Sequence, residues 1–228
     1  MILLPGELNG DLNNPQQEIK MHYHILDKKR KEILPLFKEF KRDFYLAGGT
    51  ALALQIGHRR SIDFDFFSAK KFSSKELMER IKSAFNKYKI EQVQDEKNTL
   101  SVVVNDVKLS FFHYPYPLIF RPKNIKYIKL ASIKDIGCMK LSAIVSRAAN
   151  KDYIDVYFIL QNTSLRNLLR CAKKKMPELD ENLILKSLVY FKDVEKEKIE
   201  FIADKKINFK TVENFLQDAV KKYVRLPK

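Results

Sequence analysis

The sequence predicts an α+β protein: an α/β lobe followed, from near residue 131, by an all-helical lobe. Three observations predict it. The stretch "FYLAGGTALALQIG" reads as strand, tight turn and helix in immediate succession. "TLSVVVNDVKLSFFHY" reads as two strands folded at Asn105 and Asp106. From Ser132, with Asp135 three residues on as a capping-box partner, helical periodicity runs to the end of the chain. With 228 residues, the chain is long enough for one sizeable core or two small ones.

In chain order, residues 1–16 hold Pro5, Gly6, Gly10, Pro15 and three Asn, and form an irregular lead-in. The α/β lobe is expected over residues 17–131. It opens with a helical pattern over residues 17–42, with Ile25, Leu26, Ile33, Leu34, Phe37 and Phe40 on its apolar side. Pro35 should end or kink that helix. "FYLAG" is a short apolar strand closed by Gly48 and Gly49, and Thr50 is expected to start a helix that stops at Gly57. In "IDFDFF", Asp63 and Asp65 alternate with Phe64 and Phe66, so the carboxylates leave one face of a strand and the rings the other. "SSKELMERIKSAFNKY" is a helix capped by Ser73 or Ser74, residues 90–113 are strands, and "IKYIKL" is a further strand. The helical lobe, residues 132–228, divides into helices near 132–149, 151–161, 164–176, 180–191 and 209–224.

Lys and Arg number 43 against 28 Asp and Glu, for a formal net charge of +15. Coulomb attraction therefore favours a polyanionic partner, with nucleic acid first among them. Cys138 and Cys171 have no Cys-x-x-Cys and no neighbouring His pattern, which excludes a zinc module and a disulfide scaffold. A reducing cytoplasm is the expected location. The amino terminus lacks a basic region before its apolar run, so it does not read as a secretory signal. No apolar stretch reaches the ~20 residues of a membrane span, so no membrane partner is expected.

The chemistry is concentrated between residues 48 and 65. Two glycines after a buried strand leave no side chain between main-chain N–H groups and a ligand, and the following helix adds its positive end. That is a phosphate cradle. Carboxylates at i and i+2 on one strand face can share a divalent cation, and magnesium prefers oxygen ligands. Lys140, Arg147 and Lys151 are spaced by seven and four residues, so in one continuous helix they would share a face able to meet phosphate oxygens. Asp152 starts the next helix and either caps it or reaches the cleft as an additional carboxylate; Asp155 lies one turn on.

Gly48-Gly49-Thr50, Gly57-His58-Arg59, Ser61 and Asp63-Phe64-Asp65 together resemble the AbiEii/AbiGii toxin family of nucleotidyltransferases. A second block, "KDIGCMKLSAIVSRAANKDYIDVYFIL", with Lys140, Arg147, Lys151, Asp152 and Asp155, is similar to the same family. The resemblance implies a nucleotidyltransferase fold of the DNA polymerase β type, with a small mixed β-sheet and a C-terminal helical domain closing the cleft. It further implies a toxin of a toxin–antitoxin or abortive-infection system that transfers nucleotides from a nucleoside triphosphate to RNA, with the tRNA 3′ end as acceptor. In that scheme Asp63 and Asp65 hold magnesium, with Asp152 as a further catalytic carboxylate. Gly48, Gly49, Thr50, Lys140 and Arg147 bind the nucleotide, and His58, Arg59, Lys151 and Asp155 contact substrate. A cognate antitoxin is the expected partner, with or without direct contact.

One residue departs from the pattern. Many such enzymes carry a third carboxylate on the strand beside Asp-x-Asp, and the equivalent here offers Ser110. A hydroxyl is a poor magnesium ligand and a feeble base. Asp106 has the right strand parity, but four residues along a strand is about 13 Å away. The alternative functions are therefore a catalytically impaired module that binds nucleotide or RNA, and transfer to a protein or small molecule.

Overall fold

The computed structural model describes residues 21–225. The expected lead-in over residues 1–16 and the start of the helix at Gln17 lie outside the described residues. The rest of that helix is not continuous. A 3-10 turn at Tyr23–Ile25 precedes α1 (Lys28–Ile33), which is capped by Asp27 accepting from the Arg30 N–H, and 3-10 geometry resumes over Leu34–Glu39. Pro35 sits at the start of that second 3-10 segment, where its missing N–H and fixed φ break the α-helical ladder.

The strand-turn-helix unit is present as β1 (Tyr45–Ala47) running directly into α2 (Gly48–Ile56). β2 (Phe64–Ser68), α3 (Ser74–Ala84), β3 (Ile90–Glu96), β4 (Thr99–Val104) and β5 (Val107–His113) follow, then β6 (Lys123–Asn124) and β7 (Lys129–Leu130). Ser73 is the cap of α3, accepting from the Glu76 N–H at 3.3 Å. Asn105 and Asp106, with φ of 52° and 60°, make the turn between β4 and β5, the left-handed pair that a two-residue hairpin requires. The seven strands form one mixed sheet in the order β3-β4-β5-β2-β1-β7-β6. Its two central strands after β1 matter most: β2 pairs antiparallel with β1 and parallel with β5.

Alternation in β2 sorts its two faces. Phe64 and Phe66 are buried, and Phe66 stacks on Phe111 of β5 with ring centroids 4.8 Å apart. Phe37 meets Phe64 and Phe66 edge-on at 4.7 and 5.0 Å. This aromatic layer, with Phe40 and Phe85, joins the amino-terminal helical turns to the back of the sheet. Burial of such rings dominates core energetics. The other face of β2 is left to line a cleft.

After β7 come α4 (Ile133–Ser146), α5 (Asn150–Leu160), α6 (Leu165–Lys175), α7 (Glu181–Val189) and α8 (Phe209–Arg225). Ser132 caps α4 by accepting from the Asp135 N–H at 2.9 Å. Asp135 itself is buried and accepts from the Ile119 and Phe120 N–H groups, from Ser132 and from the buried Lys175 ammonium. The helix expected over 132–149 ends early, because Arg147 has extended backbone (φ −149°, ψ 126°) and the chain turns before α5. Between α7 and α8 an irregular strap, residues 191–208, crosses back over the molecule. It forms bridges from Glu195 to Ala149 and from Phe201 to Arg59.

Gly57 ends α2 in the left-handed region at φ 63°, and a Cβ there would collide with the His22 imidazole. Gly57→Ala is expected to cost about 1–3 kcal/mol, read in thermal unfolding as roughly 2–4 °C in Tm per kcal/mol. An unaltered Tm would contradict the assigned cap geometry.

Candidate active site

The cleft is built from the glycine turn outward. Helix α2 begins at Gly48 itself, with no side-chain cap, so its first N–H groups are unshielded. Gly48 has φ 70°, and a Cβ on it would lie 2.7 Å from Asp65 Oδ2. A Cβ on Gly49 would lie 2.6 Å from the Arg59 guanidinium and 3.0 Å from Ser61 Oγ. Both glycines are thus required by close approach to charged or polar neighbours. Thr50 does not start the helix as expected. It lies inside the first turn, buried, with its hydroxyl donating to the Asp63 carbonyl, and so fixes the loop ahead of β2 instead of facing the cleft.

Asp63 and Asp65 both line the cleft. Asp65 lies beside Ala47 of β1 on one side and Ser110 of β5 on the other. Burial pushes the Asp65 carboxyl above its ordinary range, and the Asp63 charge pushes the same way against Lys140, Lys108 and Arg147. No described lysine or arginine forms an ion pair with either carboxylate. Ser110, in register with Asp65, is buried with its hydroxyl 3.1 Å from that of Ser101. Among the described residues there is no cluster of three or more side chains able to hold a metal. Two unpaired carboxylates beside unshielded N–H groups nevertheless fit magnesium, which keeps open positions for phosphate oxygens and water.

Behind the cleft lies a buried ion network. Arg59 donates to both oxygens of Asp155, Nε to Oδ1 and Nη2 to Oδ2, each at 2.8 Å. His58 Nε2 is also 2.8 Å from Asp155 Oδ1. The Lys140 ammonium is shared, 2.7 Å from Asp152 and 2.6 Å from Asp155. Arg147 Nε donates to Asp152 Oδ2 at 3.1 Å. Burial alone would raise the Asp155 carboxyl, but Arg59, Lys140 and His58 hold it well below the usual carboxylate range. For Lys140, burial favours loss of the proton and the two aspartates outweigh it, so the ammonium is retained.

These contacts correct several expectations. Asp152 and Asp155 are fully buried and do not line the cleft; their oxygens are consumed by Lys140, Arg147, Arg59 and His58. Asp152 is not a helix cap either, since Ala149 occupies that position. His58 is fully buried against Phe158 and does not reach the cleft. Lys140, Arg147 and Lys151 do reach it, but across a break between two helices and not along one continuous face. Arg59 lines the cleft while its guanidinium is held by Asp155.

The cleft has a volume of about 720 Å³. Sequence reasoning missed part of its wall. Lys108 and Phe112 enter from β5 on the same face as Ser110, a placement that strand alternation could have signalled. The strap contributes Glu197 and Glu200, with Glu197 Oε1 2.6 Å from Lys151 Nζ and Glu200 3.7 Å from Arg60. No periodic signal marks that segment.

A mixed sheet bearing Asp-x-Asp beside a glycine turn, with helices closing the cleft, defines a nucleotidyltransferase fold. The family model "Nucleotidyl transferase AbiEii toxin, Type IV TA system" matches residues 36–222, and the chain belongs to that family. An uncharacterised protein of Aquifex aeolicus (strain VF5) is 39% identical over 188 residues, covering 80% of this chain and 88% of that protein. Among solved structures, a candidate nucleotidyltransferase from Helicobacter pylori aligns with a TM-score of 0.51 and 20% identity, over 88% of this chain and 96% of that one. MenT4, a nucleotidyltransferase toxin of Mycobacterium tuberculosis H37Rv, aligns with a TM-score of 0.60 and 14% identity, over 87% and 82%. At these identities the structural likeness is one of fold.

Burial lowers the His58 pKa below its ordinary 6.5, against the opposing pull of Asp155, so the folded protein holds the ring neutral. Above pH ~6.5 both folded and unfolded rings are neutral and nothing is lost; below it the unfolded state binds the proton first and stability falls. Thermal unfolding between pH 8 and 5 should show that decline in the wild type. His58→Gln, which retains a donor toward Asp155, should show a shallower one. Identical slopes would contradict the neutral buried ring.

Proposed function

We propose that this chain transfers a nucleotidyl group from a nucleoside triphosphate to an RNA hydroxyl, with the 3′ end of tRNA as acceptor and magnesium as cofactor. The observation that carries the reading is the unpaired Asp63 and Asp65 carboxylates beside the uncapped start of α2. An ion held by Asp63 and Asp65 would neutralise phosphate oxygens and polarise the attacking hydroxyl. The Gly48 and Gly49 N–H groups, with the positive end of α2, would cradle terminal phosphates. Lys108 and Arg147 add positive charge at the same end of the cleft. The acceptor oxygen would form a bond to the α-phosphorus and give up its proton to solvent as the bond to the β-phosphate oxygen breaks, and pyrophosphate would leave with that electron pair. Positioning and preorganised charge are what the protein contributes.

The RNA acceptor is supported by the net charge of +15. Cys138, buried with its thiol pushed up to about 12, is inert and accords with a reducing cytoplasm. No described helix is long and apolar enough to cross a membrane. As a toxin of this family, the protein should arrest growth when expressed without its cognate antitoxin. Ser110 beside Asp65 favours a second reading, a nucleotide-binding module with impaired catalysis.

Purified protein incubated with magnesium, labelled nucleoside triphosphates and total RNA should place covalent label on RNA. Retention of nucleotide without incorporation would favour the impaired module, and label on a protein band would move the acceptor. Asp65→Asn should abolish incorporation while raising Tm at pH 7, because it removes a desolvated charge that Asp63 repels. Wild-type incorporation by that variant would reject the assignment.

A further inference from the structure

Asp63, Lys108, Lys140 and Arg147 all act electrostatically on Asp65. β2 and β5 run parallel, with Asp65 beside Ser110 and Phe67 beside Phe112. Residues of one parity face the cleft, so its floor changes along the strands from Asp65 and Ser110 to Phe67 and Phe112, and then to Tyr114. Phe67 lies 5.3 Å from Phe112 and meets Tyr114 edge-on at 5.7 Å. The Tyr114 hydroxyl is tethered to Met176 Sδ at 3.3 Å, and the Lys175 ammonium sits 5.6 Å from its ring centroid, so this end wall is fixed. Met139, the residue before Lys140 on α4, also lines the cleft.

Phe67, Phe112, Tyr114 and Met139 are only partly buried although the core proper has no room to expose rings. A half-open aromatic floor in a cleft also lined by a thioether suits a flat π-system. We propose that this end of the cleft is the subsite for the base of the incoming nucleoside triphosphate, stacked on Phe112; the inference rests on the triphosphate reading of the carboxylate end. Two strand residues, about 7 Å, separate Asp65 from Phe67, the interval a ribose fills between the α-phosphate and its base. Lys108, just before the Leu109 partner of Phe64, and Arg147 both act electrostatically on Asp65. A polyanionic RNA strand would lie toward those cations, which leaves the aromatic end to the base of the free nucleotide. Stacking of this kind tolerates any base, so the subsite supplies affinity more than base choice.

Equilibrium binding with magnesium and without RNA tests this, using a nucleoside triphosphate and inorganic tripolyphosphate as paired probes. Wild type should bind the nucleotide more tightly than tripolyphosphate. Phe112→Ala should weaken nucleotide binding about tenfold and leave tripolyphosphate binding unaltered. Phe112→Leu, which keeps apolar volume, and Met139→Ala, on α4, should weaken it in the same selective way, with Tm reporting that each variant is folded. Folded variants that bind nucleotide as the wild type does overturn the subsite, as does weakened binding of RNA alone. Equal wild-type affinity for the two probes also overturns it while sparing the triphosphate reading. Binding of neither probe overturns both.

Discussion

Two cleft-lining carboxylates, Asp65 on β2 and Asp63 just ahead of it, paired by no described lysine or arginine, are the constraint around which the rest of the site is arranged. Such a pair is unfavourable in a cleft where burial and mutual repulsion act together, and the fold makes no attempt to quench it. Lys140, a buried cation that acts electrostatically on Asp65, has its ion-pair partners elsewhere, in Asp152 and Asp155. Asp63 and Asp65 are therefore left for something that arrives from solution. The glycine turn has the same logic: side chains are removed where the backbone approaches Asp65 and Arg59, and the helix cap that a surface helix would carry is missing.

The buried network behind the cleft keeps that arrangement rigid. Arg59 follows α2 in the sheet-bearing part of the chain and Asp155 is on α5, so their bidentate pair ties the floor of the cleft to its helical wall. Buried ion pairs contribute little net stability compared with apolar packing, but breaking one partner is expensive. Their value here is positional. With Asp155 held ionised, Arg59 supports Gly49 from below and Lys140 projects toward Asp65 without being free to neutralise it. The strap adds a second tie, bridging Ala149 and Arg59 and placing two glutamates among the basic residues of the rim.

Much of this was legible in the sequence because it depends on local periodicity. Alternation in "IDFDFF" places Phe64 and Phe66 in the core and the aspartates opposite, and Asn105-Asp106 fixes the β4–β5 register that sets Ser110 opposite Ser101. Ser73 and Ser132 mark the starts of two helices through side-chain caps. What was not legible depends on contacts distant in the chain. The spacing of Asp152 and Asp155 suits an active-site role, and only tertiary convergence of Arg59 and Lys140 removes them from the cleft. The helix expected from Gln17 is broken because Pro35 and docking of Phe37 and Phe40 on the sheet override its periodicity. Residues 191–208 have no period to read, since backbone hydrogen bonds to Ala148, Asn150, His58 and Arg60 hold them and their own bonds close no more than short turns at 191–194 and 202–205.

The central claim is that the acidic pair serves attack at the α-phosphorus. Parallel reactions of the wild-type protein with α-labelled and γ-labelled nucleoside triphosphate, followed by separation of RNA from pyrophosphate, test it most directly. The account predicts α-label covalently on RNA and γ-label wholly in pyrophosphate. γ-Label on RNA, or γ-label released as orthophosphate with none of the α-label transferred, would contradict it.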